Sequence, residues 1–145
     1  MGKTIDQLSI FVENKAGSLV RITRILAEAG IDIRAMSLAD TADFGILRLI
    51  VNKTQLAVDA LRNSGCIVAV NEVLAVLITD HPGGLSGVLS MLADNGLFIE
   101  YSYAFITRRS DKACVIFRLE DNERAGAILE AGGVPLADAG ELFLL

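Results

Sequence analysis

Two short turns hold the residues of this chain best suited to binding: Asn14-Lys15-Ala16-Gly17-Ser18-Leu19 and Asp80-His81-Pro82-Gly83-Gly84-Leu85. Each follows an apolar, strand-like run and precedes an amphipathic, helix-like one. A turn that opens a helix leaves backbone N–H groups without intrahelical acceptors and concentrates partial positive charge, so a carboxylate can dock there. Gly17 and Gly83, followed by Ser18 and Gly84, keep side-chain bulk away from that backbone. Asn14 and Asp80 could accept a hydrogen bond from an ammonium group. The chemistry these turns could serve is the binding of a small carboxylate ligand. The same residues also have a purely structural reading, because Asn and Asp form turns and near-caps, Gly reverses the chain and Pro82 stiffens it. The second turn, with Gly83-Gly84, is expected to expose more backbone to a carboxylate. In the first, Ser18 offers a hydroxyl donor or a helix cap.

Nothing around the turns suggests bond-making chemistry. His81 is the sole histidine, and no second His or Cys lies near it in sequence, so it is expected as an exposed loop residue without a metal or acid–base role. No nucleophile stands beside a base, and an acylphosphatase-type hydrolase would need an Arg that neither turn contains. The expectation is therefore no catalytic residue, no metal and no cofactor. Cys66 and Cys114 are far apart without a CxxC pattern and read as small buried hydrophobes in a reducing compartment. A net charge of −5 opposes nucleic-acid binding, which needs clustered Lys and Arg. The one basic cluster, Arg108-Arg109, falls in a polar stretch, 107–112, read as a solvated hairpin. No apolar run approaches the ~20 residues of a membrane span, and the first residues lack a signal-type apolar segment. A cytoplasmic protein without membrane contact is expected.

The elements that carry the turns repeat. Leu19 and Leu85 stand 66 residues apart, as do Gly30 and Gly96, while Asp43 with Asp111 and Gly65 with Gly133 stand 68 apart. The second copy has thus gained two residues between its second and third strands. Periodicity predicts a strand over 7–12, a helix from Gly17 and Ser18 to Gly30 with Leu19, Ile22, Leu26 and Ala29 on one face, and strands over 31–38 and 44–51. A helix over 52–63 through Leu56, Ala57, Ala60 and Leu61 and a strand over 66–70 complete the first copy. The second copy is predicted as a strand over 73–79, a helix over 85–95 on Leu85, Val88, Leu89 and Leu92, strands over 97–106 and 112–119, a helix over 122–131 and a last strand within 134–145. The order is βαββαβ twice, over 1–71 and 72–145. The fold class is α+β: two ferredoxin-like units, each an antiparallel sheet with helices on one face.

In the strand over 97–106, Leu97, Ile99, Tyr101, Tyr103 and Phe105 alternate with Phe98, Ala104 and Ile106, which predicts burial on both faces. A hydrophobic content of 52% is high for units of this size, and pairing into a homodimer is expected. Tyr101 and Tyr103 read as core, with hydroxyls able to reach a polar ligand or a partner.

The two turns resemble the ligand-binding loop of the ACT domain, and the duplication resembles the small stand-alone tandem ACT proteins. The segment Glu100-Tyr101-Ser102-Tyr103-Ala104-Phe105 is similar to one typical of that group. The resemblance implies a non-catalytic regulatory protein that binds an amino acid at residues 14–19, 80–85 or both, with the site closed by a neighbouring ACT unit at an inter-unit or dimer interface. The alternative it leaves open is an interaction module, such as a regulatory subunit of an amino-acid biosynthetic enzyme, with weak or no ligand binding.

Overall fold

The computed structural model describes residues 3–40, 43–105, 107 and 111–144. The expected turn residues Thr41 and Ala42, the strand end Ile106 and the basic pair Arg108-Arg109 lie outside these. By packing, the chain divides into two compact units, one formed by Asp6–Asn71 and the other by the residues up to Ile5 together with those from Glu72 onward.

In the first unit, β1 (Ile5–Glu13), α1 (Ser18–Glu28), β2 (Ile33–Asp40), β3 (Phe44–Val51) and α2 (Thr54–Asn63) follow the predicted order and lead into β4 (Val68–Thr79). The strands lie in the order β2, β3, β1, β4. β1 runs antiparallel to β3 with Leu8 opposite Leu49 and Ile10 opposite Leu47. Those four side chains share one face of the sheet, and α1 and α2 pack there through Ile22, Leu26, Ala57, Val58 and Leu61. Leu56 departs from expectation: it is exposed, and the face of α2 that packs runs through Val58 instead. Gly45 lies within this ladder because a Cβ there would sit 3.1 Å from the Ala39 carbonyl oxygen and 3.2 Å from Asn14 Oδ1.

The second unit uses β4 from Glu72 onward, α3 (Gly84–Asp94), β5 (Ile99–Phe105), β6 (Lys112–Leu119), α4 (Asn122–Ala131), β7 (Leu136–Ala137) and α5 (Ala139–Leu142). β4 pairs with β6 on one side and β7 on the other, and β6 pairs with β5. Leu74, Val76, Ile78, Phe117 and Leu119 form the sheet side of its core; Val88, Leu92, Ala125 and Leu129 form the helix side. Leu85 and Leu89, expected on the packed face of α3, are 46% and 37% exposed.

Three expectations are corrected. The strands predicted over 66–70 and 73–79 are one twelve-residue strand, β4. Its polar middle does not break it: Asn71 Oδ1 accepts the Ser9 hydroxyl at 2.7 Å, and the Glu72 carbonyl accepts from Arg118 Nη1 and Asn122 Nδ2, both at 2.8 Å. β5 does not alternate from Ile99 to Phe105, because the register shifts between Ile99, opposite Leu119, and Tyr101, opposite Arg118. Glu100 is the extra residue, and its carboxylate pairs with Arg118 Nε at 3.3 Å. Ile99 therefore packs with the helix-side core, while Tyr101, Tyr103 and Phe105 stand half-buried on the opposite face. Lastly, the final strand is two residues long and gives way to α5, whose N-cap Asp138 forms a capping box with Glu141. The backbone N–H of Glu141 beside Asp138 holds that carboxyl below the usual carboxylate range.

Candidate functional site

The two turns share one backbone. Gly17 and Gly83 each precede a helix at φ 90° and ψ −11°, and neither helix has a side-chain cap. The Asn14 N–H donates to the Asp43 carbonyl at 3.1 Å, and Asp80 donates to that of Asp111 at 3.0 Å. Lys15 N–H bonds Glu13 O as His81 N–H bonds Thr79 O, and the Arg21 and Gly87 amides reach back to Gly17 and Gly83. A left-handed φ is costly for any residue with a Cβ, so this backbone explains both glycines without a ligand.

Side chains make the two turns different. Against the first lies a recess of about 470 Å³ built from Phe11, Val12 and Glu13 of β1, residues 15–18, Arg21 and Ile22 of α1, Phe44 of β3, and Gly65, Cys66 and Ile67 before β4. Four of the six predicted residues of this turn line it: Lys15, Ala16, Gly17 and Ser18. Asn14 does not, since its side-chain oxygen lies over Gly45. Leu19 packs against the core instead. Lys15 Nζ is ion-paired with Glu13 at 3.1 Å in an exposed position.

The corresponding space at the second turn is about 250 Å³, and Gly84 is the one predicted residue among its lining, which also includes Leu77, Gly87, Lys112 and Pro135. Asp80, His81, Pro82, Gly83 and Leu85 are exposed and do not face it. His81 Nδ1 lies 2.8 Å from the Pro82 carbonyl oxygen. The double glycine that promised an open backbone has a packing reason: a Cβ on Gly84 would overlap the Thr79 carbonyl oxygen. The second turn is drawn against the end of its strand, and the larger recess belongs to the first, contrary to the expectation from Gly83-Gly84.

Arg21 is exposed on α1 as its spacing predicts, and it adds a contact that spacing alone does not foretell. Its helical spacing puts it on the polar side of α1, yet one turn beyond Gly17 it reaches across the recess, where Nη1 meets Cys66 Sγ at 3.5 Å and Nη2 donates to the Ser64 carbonyl. Guanidinium carries five N–H donors, and among the described residues no carboxylate pairs with this one. Cys66 is only half-buried, on the recess wall, whereas Cys114 is fully buried as expected. Aligning the copies was the available signal: at the 66-residue offset Arg21 corresponds to Gly87. No group of His, Cys, Asp and Glu among the described residues could hold a metal ion.

This duplicated turn-and-helix arrangement finds its counterpart in a known family, which the chain matches over residues 3–134. The chain belongs to the ACT domain pair family. As an ACT domain pair it is also similar to a crystallised protein from Bacteroides thetaiotaomicron, at 36% identity over 99% of both chains and a TM-score of 0.92. It shares its fold with the ligand-free regulatory subunit of aspartate kinase from Thermus thermophilus, at 19% identity, TM-score 0.66, and coverage of 87% of this chain and 91% of that one. The corresponding subunit from Thermus flavus gives 16% identity and a TM-score of 0.64, over 92% and 94% of the two chains. No curated protein matches it. Membership places this chain among regulatory ACT proteins, and no helix among its described residues is long and apolar enough to cross a membrane.

Proposed function

We propose that this ACT domain pair is a non-catalytic regulator that binds a free amino acid at its strand-to-helix turns, the first above all. The observation that carries this reading is the recess at Gly17, where the N-terminal turn of α1 and the carboxylate-free guanidinium of Arg21 face one space of about 470 Å³. A zwitterion's carboxylate is held there by Arg21 and the first-turn N–H groups, and its ammonium is placed toward Glu13. The ligand's carboxylate supplies the counter-charge that no described residue gives Arg21.

Binding regulates only through differential affinity for two states. A homodimer supplies them in this reading, supported by the exposed apolar side chains Met36 and Leu38 on the edge strand β2. The fold shared with aspartate kinase regulatory subunits supports a second reading, in which the protein partners a biosynthetic enzyme. Two free cysteines support a reducing cytoplasm.

Calorimetry and thermal-shift measurements with the common amino acids test the proposal. At least one should bind and raise the melting temperature, and Arg21→Ala should abolish the effect while leaving the fold intact. A folded protein that responds to none of them overturns it. Copurification of a stoichiometric enzyme, without amino-acid binding, would establish the second reading instead.

A further inference from the structure

We infer that the chain has one amino-acid site, in the first unit, and that this site selects a large apolar side chain of leucine or phenylalanine size. The inference rests on the amino-acid-binding reading above and concerns the number of sites and what fills them.

Three apolar side chains stand at the recess with most of their surface in solvent: Phe11 at 57%, Phe44 at 53% and Ile67 at 69% exposed. The sheet brings them together. The Phe11 N–H bonds the Ile67 carbonyl at 3.1 Å, and Phe44 sits opposite Glu13, two residues along β1 from Phe11, so the two rings are diagonal neighbours on one face. Exposed singly, such residues are ordinary; three at one recess beside a guanidinium that has no carboxylate partner among the described residues form an amphipathic site. Arg21 offers charge complementarity to a carboxylate, and Phe11, Phe44 and Ile67 offer an apolar wall to the side chain. An acidic, basic or hydroxyl side chain laid on that wall would give up hydration against the rings, which an apolar one would not.

Each of these features is altered in the second unit. Arg21 becomes Gly87, Phe44 becomes Lys112 and Ile67 becomes Pro135 at the repeat offsets. Phe11 becomes Leu77, which is only 7% exposed. Lys112 Nζ approaches Thr79 Oγ1 at 3.4 Å, placing a polar group where the first unit has a ring. The remaining space, about 250 Å³, has neither the guanidinium fork nor an apolar wall of rings.

Titration calorimetry of the full chain with phenylalanine, leucine, aspartate, lysine and threonine decides the matter. Phenylalanine or leucine should bind at one per chain and at least tenfold tighter than the other three. Phe44→Lys, which copies the second unit at an exposed position, should weaken that binding about tenfold, and Ile67→Ser should do so independently, with circular dichroism unchanged in both. Tightest binding by aspartate, lysine or threonine, two equivalents per chain, or unaltered affinity in both variants would overturn this inference while leaving amino-acid binding in place. Failure of all five to bind overturns the inference, and the broader reading falls only if the remaining common amino acids fail too.

Discussion

The turn at Gly17 and the turn at Gly83 have the same φ, the same ψ and the same backbone hydrogen bonds, yet one stands beside a roomy recess lined by the Arg21 guanidinium and the other beside a small one lined by the Lys112 ammonium. The difference arises from side chains. Arg21 against Gly87 removes the guanidinium from the helix, and Ser18 against Gly84 changes how closely the helix start approaches its strand. After duplication, one backbone frame can keep both turns folded while side chains decide what kind of space each opens onto.

Substitutions at matched positions can break or sharpen this contrast. The cores should respond alike: Leu26 and Leu92 occupy equivalent, fully buried positions, so Leu26→Ala and Leu92→Ala should each cost about 2–5 kcal/mol in urea unfolding. A large disparity between them would mean that the two cores are not equivalent. Next in size is the exchange at the helix starts. Gly84→Ser drives a Cβ into the Thr79 carbonyl and should cost about 1–3 kcal/mol, whereas Ser18→Gly should cost less than about 1 kcal/mol. Equal costs would remove the packing explanation for the double glycine. Gly17→Ala and Gly83→Ala should then lose about 1–2 kcal/mol each, and by similar amounts, because both impose the same left-handed φ.

The smallest effect belongs to a feature of the second unit, the capping box at Asp138. Its carboxyl is lowered in the folded state, first by the Glu141 backbone N–H. Its stabilisation is therefore present above the unfolded value of about 3.9 and fades as pH falls through the lower folded value. Asp138→Ala should reduce the melting temperature slightly at neutral pH, with the gap to the parent closing in acid. A gap that persists unchanged below that range would mean that the carboxylate charge contributes nothing to the cap.

Much of this was legible in the sequence because local rules and the repeat agree. Glycines at 17, 30, 83 and 96 all have positive φ, and the helix faces through Ile22, Leu26, Val88 and Leu92 are buried as their spacing requires. What escaped depends on distant partners. Asn71 and Glu72 look like a strand break until Ser9, Arg118 and Asn122 supply their hydrogen bonds. Glu100 looks like one step in an alternation until Arg118 holds it out of the ladder. Arg21 is exposed as helical periodicity predicts, but periodicity does not report that Ser64 and Cys66 will draw its side chain over a recess. Asn14 was read toward a ligand, but its oxygen lies over Gly45, a residue thirty-one positions later.

The grouping of the first residues with the second unit bears on biogenesis. Lys3 Nζ donates to the Leu136 carbonyl and to Glu141, each at 3.3 Å, across sequence separations of 133 and 138. Contacts that span so much chain are slow to close, and during synthesis Lys3 must wait until Leu136 and Glu141 emerge. The unit from Asp6 to Asn71 has every residue it needs long before then. Vectorial folding would thus complete the first unit first, and the second would close only as Leu136 and Glu141 became available.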